Sequence, residues 1–207
     1  MNVVVYGATG NSGSRILKEL TARGHNVTAV VRDTSKVPAG ITSRQDDLSD
    51  VDRISSIIAG ADAVVSAYMP PSEDTDQLVG VTERLIAAIK KAGTMRLIVV
   101  GGAASLEVAP GVTLLASGHL PGEWLPIATS HSHALNLLKS SDINWTYFSP
   151  AGFFEPGTRT GKFRLGTDRL ITNDRGESRI SMEDYAIALV DELERPAHER
   201  ARFTIGY

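Results

Sequence analysis

The chain has 207 residues, of which 42% are apolar and 22% are charged. This size and composition predict one globular domain, residues 1–207, with a core large enough to enclose a ligand cleft. The net charge is −3 without a lysine or arginine cluster, which argues against a nucleic-acid-binding protein. Because cysteine is absent, disulfides, thiolate metal sites and a cysteine nucleophile are excluded. The chain has neither a signal-peptide pattern nor an apolar run near the roughly 20 residues that cross a bilayer, so we expect a cytoplasmic protein that binds no membrane.

Strand-like and helix-like segments alternate over the first hundred residues. Short apolar runs predict five strands, at residues 3–6, 27–31, 41–45, 63–65 and 96–100, the third of them weaker than the others. The β-branched runs among them fit strands that are buried on both faces. Apolar residues at helical spacing predict helices at 12–23, 50–59 and 76–92. This alternation predicts an α/β fold of the Rossmann type, with a doubly wound, mostly parallel sheet and helices on both of its faces.

The pattern is less regular after residue 100. Residues 101–126 are rich in Gly, Pro and Ser and have no clear period, which is typical of an active-site or crossover loop. A helix is expected at 129–140, a strand at 145–148 and then a loop. Ser181 is expected to cap a helix that runs to Glu194, and a last strand is expected at 202–205.

A glycine-rich turn follows the first predicted strand. Gly7, Gly10 and Gly13 are evenly spaced, and the turn opens an amphipathic helix. Glycines in this place permit a sharp turn, a close approach of the backbone to a pyrophosphate and tight helix packing, and the helix amides then face the phosphates. The turn therefore predicts a dinucleotide site that also includes Thr9, Asn11 and Ser12. The alternative is an ordinary strand-to-helix turn.

The residue after the second strand predicts which dinucleotide is bound. An acidic side chain there accepts a hydrogen bond from the ribose 2′-hydroxyl, whereas a cation suits a 2′-phosphate. This chain has Arg32, with Lys36 close by, so NADP(H) is favoured over NAD(H). The alternative is a solvated surface arginine.

Several segments together resemble the atypical short-chain dehydrogenases/reductases. They are similar to the branch of NAD(P)H-flavin reductases that also includes biliverdin reductase B, and to NmrA-like proteins. The resemblance covers nearly the whole chain and rests on residues 7–13 (GATGNSG), 30–33 (VVRD), 46–48 (DDL), 62–67 (DAVVSA), 99–103 (VVGGA), 145–154 (WTYFSPAGFF) and 176–181 (GESRIS).

The resemblance implies which other residues hold the cofactor. Asp47 and Leu48 would border the adenine, although Asp47 is also placed to cap a helix. The residues that would contact the rest of the cofactor are Ser66, Ala67, Tyr68, Gly101, Gly102, Pro150, Gly152 and Phe153. All of these follow predicted strands, and ligands of open α/β sheets bind beyond the carboxyl ends of the strands.

One departure from the family pattern bears on mechanism. Most short-chain dehydrogenases use a Tyr-x-x-x-Lys pair, but those positions fall here at Ile127 and His131, and a serine of related reductases falls at Gly102. Chemistry between alcohols and carbonyls is therefore disfavoured. Reduction of a flavin is still possible because its proton can come from water.

Few side chains are left as catalytic candidates. His131 and Ser105 are proposed, with a structural histidine and a loop serine bonded to its own backbone as the alternatives. Phe153, Phe154 and Trp124 would supply an aromatic wall, although core packing explains at least one of them. A metal site is not expected, because His131 and its neighbour two residues on do not share a helix face.

The expected function is an NADPH-dependent reductase of flavins (FMN or FAD), quinones or similar planar acceptors, acting as a monomer or homodimer. One alternative is an NmrA-like redox sensor that binds the dinucleotide without turnover. Another is an epimerase or dehydratase that recycles its nicotinamide, which the missing tyrosine disfavours.

Overall fold

The structure is a computed structural model that describes residues 1–94 and 96–207. The strands in these residues are β1 (Asn2–Tyr6), β2 (Asn26–Val31), β3 (Thr42–Gln45), β4 (Ala63–Ser66), β5 (Leu97–Val100), β6 (Glu107–Ala109), β7 (Val112–Thr113), β8 (Trp145–Ser149), β9 (Phe153–Glu155), β10 (Arg164–Gly166), β11 (Arg179–Ser181) and β12 (Ala201–Gly206). The α-helices are α1 (Asn11–Ala22), α2 (Val51–Ile58), α3 (Gln77–Ala92), α4 (Leu125–Ser140) and α5 (Met182–Glu194).

Eight strands form the central sheet, in the order β10-β12-β8-β5-β4-β1-β2-β3. Neighbouring strands are parallel except β10, which is antiparallel to β12. The chain moves outward in one direction from β1 through β2 to β3, and then returns to the other side of β1 at β4. The predicted doubly wound Rossmann-type sheet is confirmed, and its topological switch point lies between β1 and β4.

Helices cover both faces of the sheet and bury two apolar cores. On one face α1 and α5 pack together, and Ile16, Leu20 and Leu189 are fully buried there. On the other face α2, α3 and α4 bury Ile54 and Leu85 among the residues of the second core. Because both faces are covered, the central strands need apolar residues at successive positions, which explains the continuous β-branched runs.

The second half departs from the sequence prediction in three places. Helix α4 begins at Leu125 rather than at 129, because Pro126 lies in the first turn, where its missing N–H costs nothing. The expected loop at 101–126 contains the hairpin β6-β7. Strands β9, β10 and β11 were not predicted, because each has only three residues and shows no period in the sequence.

None of the helices in the described part of the chain has both the length and the apolarity that crossing a membrane requires.

Candidate active site

A cleft of about 410 Å³ opens where the carboxyl ends of β1, β4, β5 and β8 meet. The predicted site residues that line it are Gly10, Asn11, Ser12, Ala67, Tyr68, Gly101, Gly102, His131, Pro150, Gly152 and Phe153. They come from segments far apart in the sequence. The sheet topology thus brings together most of the residues that were expected around the reactive end of a dinucleotide.

Two glycines of the turn are required by packing inside the protein. Gly7 has a φ of +73°, and a Cβ on it would lie 2.4 Å from the carbonyl oxygen of Ala67. A Cβ on Gly13 would lie 2.1 Å from the carbonyl oxygen of Gly7. These contacts hold the start of α1 against the turn and against the end of β4. The turn is therefore built so closely that a methyl group at either position displaces backbone.

Gly10 has a different role from its two neighbours in the motif. It precedes α1, has an ordinary extended conformation with a φ of −74°, and lines the cleft with Asn11 and Ser12. Having no side chain, it leaves the first amides of α1 uncovered. The positive end of the α1 dipole thus borders the cleft, which favours an anionic group there.

Arg32 lies just past β2, near the far end of the proposed dinucleotide site. Its side chain is exposed and makes no ion pair or hydrogen bond with the residues that the structure describes. Lys36 is also exposed and lies 4.0 Å from Asp33. Burial raises the pKa of Tyr68, and the positive charges of Arg32 and Arg84 oppose that shift. The Arg32 side chain is thus exposed at the carboxyl end of β2, and its charge is felt at Tyr68 in the cleft wall.

The loop after β3 is held in an unusual conformation. Leu48 is buried and has a φ of +64°, and its carbonyl oxygen accepts a hydrogen bond of 2.6 Å from Arg84 Nε. The Asp47 carboxylate accepts hydrogen bonds from the Ser49 hydroxyl at 2.6 Å and the Ser49 amide at 3.0 Å, which lower its pKa.

Asp47 is not the cap of α2. The cap of α2 is Asp50, whose carboxylate accepts a hydrogen bond of 2.8 Å from the Arg53 amide. Arg84 carries no signal in the sequence, because it lies in the middle of α3 within no recognisable motif.

The end of β4 leads directly into the cleft. Ser66 is buried as the last strand residue, and Ala67 and Tyr68 follow in the cleft wall. The Tyr68 hydroxyl donates a hydrogen bond of 3.2 Å to Gln77 Oε1 on α3, so this phenol is anchored to the protein at the partly exposed rim of the cleft.

A hydrogen-bonded cluster lies beneath the glycines that follow β5. The Gly102 amide donates to the Tyr147 hydroxyl at 3.0 Å, and His131 Nδ1 lies 3.1 Å from the same oxygen. Burial lowers the pKa of His131 to about 4, so the imidazole is neutral near pH 7. Tyr147 was not singled out in the sequence, where it read only as a core residue of a strand.

The two positions at which the sequence resemblance places the Tyr-x-x-x-Lys pair of most short-chain dehydrogenases both line the cleft. They are occupied by Ile127 and His131, so the wall has an apolar side chain where a tyrosine is usual and a neutral imidazole where a lysine is usual. Ser105 does not line the cleft. Its hydroxyl accepts a hydrogen bond of 2.9 Å from the Arg202 guanidinium, and its carbonyl oxygen accepts another of 2.8 Å from the same group. The cleft wall on this segment is formed instead by Gly102 to Ala104.

Aromatic side chains form the outer wall of the cleft. Phe153 and Trp124 each expose half of their surface, and the Arg179 guanidinium lies 4.7 Å from the centre of the Phe153 ring. Phe154 also lines the cleft, but its ring packs against Tyr185 at 4.6 Å and belongs to the core. Two of the three expected aromatic residues are thus available to a ligand. Further apolar lining comes from Met69, Leu114, Leu120 and Met182, which the sequence analysis missed.

Among the described residues there is no group of three or more His, Asp or Glu side chains that could hold a metal ion.

Comparisons with known proteins agree with this geometry. The sequence pattern of the NAD(P)H-binding family matches residues 7–196. The uncharacterized protein YwnB of Bacillus subtilis is 41% identical over 210 residues, which cover 99% of this chain and 98% of that protein.

Two solved structures are also similar over nearly their whole length. One is a proposed epimerase from Bacteroides thetaiotaomicron, with a TM-score of 0.94 and 43% identity, covering 100% of this chain and 96% of that one. The other is a proposed NADH-flavin reductase from Streptococcus pneumoniae, with a TM-score of 0.91 and 35% identity, covering 100% of this chain and 99% of that one. The resemblance found in the sequence is confirmed.

Proposed function

The chain belongs to the NAD(P)H-binding family, and from this premise we propose that it is an NADPH-dependent reductase of flavins, quinones or similar planar acceptors. The observation that carries the proposal is the composition of the cleft. Its wall combines the glycine turn and half-exposed aromatic rings with an apolar residue, Ile127, where a catalytic tyrosine is usual.

The residues present fit a dinucleotide with a 2′-phosphate. The uncovered amides at the start of α1 suit the pyrophosphate, and the unpaired guanidinium of Arg32 suits the 2′-phosphate, with Lys36 adding charge. Asp47 and Leu48 would border the adenine, and the ends of β4, β5 and β8 would flank the nicotinamide. Gly7 and Gly13 contribute through their backbone, because the packing at these two positions leaves no room for a side chain.

When bound, NADPH would supply a hydride, which reduces the acceptor by two electrons as NADP⁺ forms. The chain's own task is to hold the acceptor flat against the nicotinamide and to exclude water. Phe153 and Trp124 present faces on which a planar ring would stack. Apolar neighbours such as Met69 would help to exclude water from the site. One further proton completes the reduction of a flavin or quinone, and it can come from solvent because the charge on the reduced ring system is delocalised.

The same wall disfavours the reduction of simple carbonyl compounds. Hydride transfer to an aldehyde leaves an alkoxide, which needs a positioned acid in the transition state. Ile127 has no proton to give, His131 is neutral near pH 7 with a pKa of about 4, and Tyr68 is bonded to Gln77. An epimerase that oxidises and re-reduces an alcohol needs the same acid and base. For this reason the similarity to a proposed epimerase does not change the proposal.

The test is a panel of acceptors with the purified protein. We expect NADPH to be oxidised with FMN, FAD or a quinone, and not with simple aldehydes or ketones, as followed by the loss of NADPH absorbance. The Gly10→Val variant, which should not bind the dinucleotide, controls for contaminating reductases. If NADPH binds tightly and no acceptor supports turnover, the reductase proposal fails and a redox sensor takes its place. Rapid aldehyde reduction would also contradict the proposal, because it would require an acid in the cleft.

A further inference from the structure

The hydroxyl of Tyr147 lies at the centre of a buried hydrogen-bonded cluster. Tyr147 is 0% exposed, so its phenol cannot touch a ligand. Three groups surround the hydroxyl oxygen: the Gly102 amide nitrogen at 3.0 Å, His131 Nδ1 at 3.1 Å and the His131 carbonyl oxygen at 3.2 Å. Both partner residues line the cleft, so the phenol joins two elements of its wall from below.

Counting hydrogens selects one arrangement of this cluster. The phenol has one proton, which burial keeps in place by raising the pKa of Tyr147, and the Gly102 N–H already donates to the phenol oxygen. If the phenol donates to the His131 carbonyl, Nδ1 must carry a hydrogen and donate to the phenol, and all three contacts are hydrogen bonds. If the phenol donates to Nδ1 instead, two oxygens face each other at 3.2 Å without a hydrogen between them. The geometry favours the first arrangement, because it turns all three contacts into hydrogen bonds.

The other ring nitrogen of His131, Nε2, belongs to a residue of the cleft wall and is not fully buried. Nε2 makes no hydrogen bond with the residues that the structure describes, and it is not among their buried unpartnered atoms. With the hydrogen on Nδ1 and the ring neutral, Nε2 carries a lone pair and can only accept a hydrogen bond.

We propose that Tyr147 is a positioning residue that fixes His131 as a hydrogen-bond acceptor at Nε2, so that the cleft selects a ligand with an N–H or O–H group at that point. This selection rests on the proposed function, because the ligand is either the cofactor or the acceptor. The cofactor would donate a ribose hydroxyl to Nε2, and the acceptor would donate a ring N–H. His131 then orients a ligand and does not give it a proton.

The tautomer can be measured without any turnover. We expect the ¹⁵N NMR spectrum of the wild-type protein to show His131 with a protonated Nδ1 and an unprotonated Nε2 from pH 5.5 to pH 8, with His131→Gln identifying the resonances. In Tyr147→Phe, which keeps the ring packing and removes the hydroxyl, this fixed pattern should be lost. Tyr6→Phe is the matched control, because among the described residues the buried Tyr6 hydroxyl has no hydrogen-bond partner, and it should leave His131 unchanged.

Binding measurements identify the source of the donor group. Tyr147→Phe should weaken either NADPH binding or acceptor binding by about tenfold, the value of one hydrogen bond, and Tyr6→Phe should weaken neither. A rise in the Kd for NADPH indicates a ribose hydroxyl, whereas a rise in the Kd for FMN, measured by quenching of its fluorescence, indicates a ring N–H.

Three results would overturn the proposal: a hydrogen on Nε2 in the wild-type protein, an unchanged tautomer in Tyr147→Phe, or unchanged binding of both ligands. The wild-type spectrum tests it even if the variant does not fold. A protein that reduces no acceptor would refute the proposed function and leave the tautomer result standing.

Discussion

Two glycines of the glycine-rich turn should respond in different ways to the addition of a side chain. Gly13 packs against backbone inside the protein, whereas Gly10 faces the cleft. We therefore expect Gly13→Ala to damage mainly the fold and Gly10→Val to damage mainly the binding of NADPH. Each variant serves as the control for the other.

The cost at Gly13 follows from one distance. A Cβ there would lie 2.1 Å from the Gly7 carbonyl oxygen, where an ordinary contact is 3.4–4 Å. The obstacle is backbone and no rotamer relieves it, so helix and turn must separate at a cost of about 3 kcal/mol in the free energy of unfolding. For a chain of this length that loss lowers Tm by roughly 6–12 °C.

The cost at Gly10 is smaller for the fold and larger for the ligand. Its backbone conformation suits any residue, and the nearest atom to an added Cβ is the Gly7 oxygen at 3.3 Å. Valine is a poorer helix cap than glycine, which costs about 1 kcal/mol and roughly 2–4 °C in Tm. The branched side chain would stand where the pyrophosphate meets the α1 amides, and losing two charge-assisted hydrogen bonds should weaken NADPH binding about a hundredfold or more.

Calorimetric titration with NADPH and thermal melting monitored by circular dichroism measure the two effects separately. An unchanged NADPH affinity in Gly10→Val would refute the placement of the pyrophosphate at this turn. A wild-type Tm in Gly13→Ala would refute the packing argument, because it would show that the helix moves away from the turn at no cost.

Three further predictions concern single side chains around the cleft. Arg32→Ala should weaken NADPH binding about tenfold or more through loss of charge-assisted hydrogen bonds and leave NADH binding nearly unchanged. Arg195→Ala is the control for the change in net charge. Equal losses of affinity for both nucleotides would contradict the assignment of Arg32 to the 2′-phosphate. Phe153→Ala should raise the KM for FMN by about three- to tenfold through loss of ring stacking with little change in the Kd for NADPH, and a change in NADPH affinity alone would contradict this. Because burial lowers the pKa of His131 to about 4, the unfolded chain binds its proton first, so stability should fall as the pH drops from about 6.5 toward 4. Urea unfolding at pH 7.5 and pH 5 should show a smaller drop for His131→Gln than for the wild type, and equal drops would rule out His131 as the cause.

The first half of the fold could be predicted from the sequence because its signals are local. Runs such as residues 63–65 are buried on both faces and therefore apolar throughout, and α1 shows its buried face through Ile16 and Leu20. Since ligands of this sheet type bind at the carboxyl ends of strands, the same runs also indicated where the cleft lies.

The outer wall of the cleft could not be predicted in the same way. Strands β9 and β11 have three residues each and depend on pairing with each other across the chain, which no local pattern reveals. Nearness in sequence was also misleading for Ser105, which lies close to Gly102 along the chain but turns toward Arg202 in space. The partner that decides its position is 97 residues away.

The departures from the family pattern are parts of one packing arrangement. The ring of Tyr147 would lie 2.3 Å from a Cβ on Gly101, and the ring of His131 would lie 3.0 Å from a Cβ on Gly102. A serine at residue 102 would therefore require the His131 ring to move by a few tenths of an ångström, and a side chain at residue 101 would require a larger movement of Tyr147. The two glycines, the histidine and the buried tyrosine are thus packed tightly against one another. A serine introduced at residue 102 alone would press on the imidazole, so the orientation proposed for His131 depends on Gly102 as well as on Tyr147.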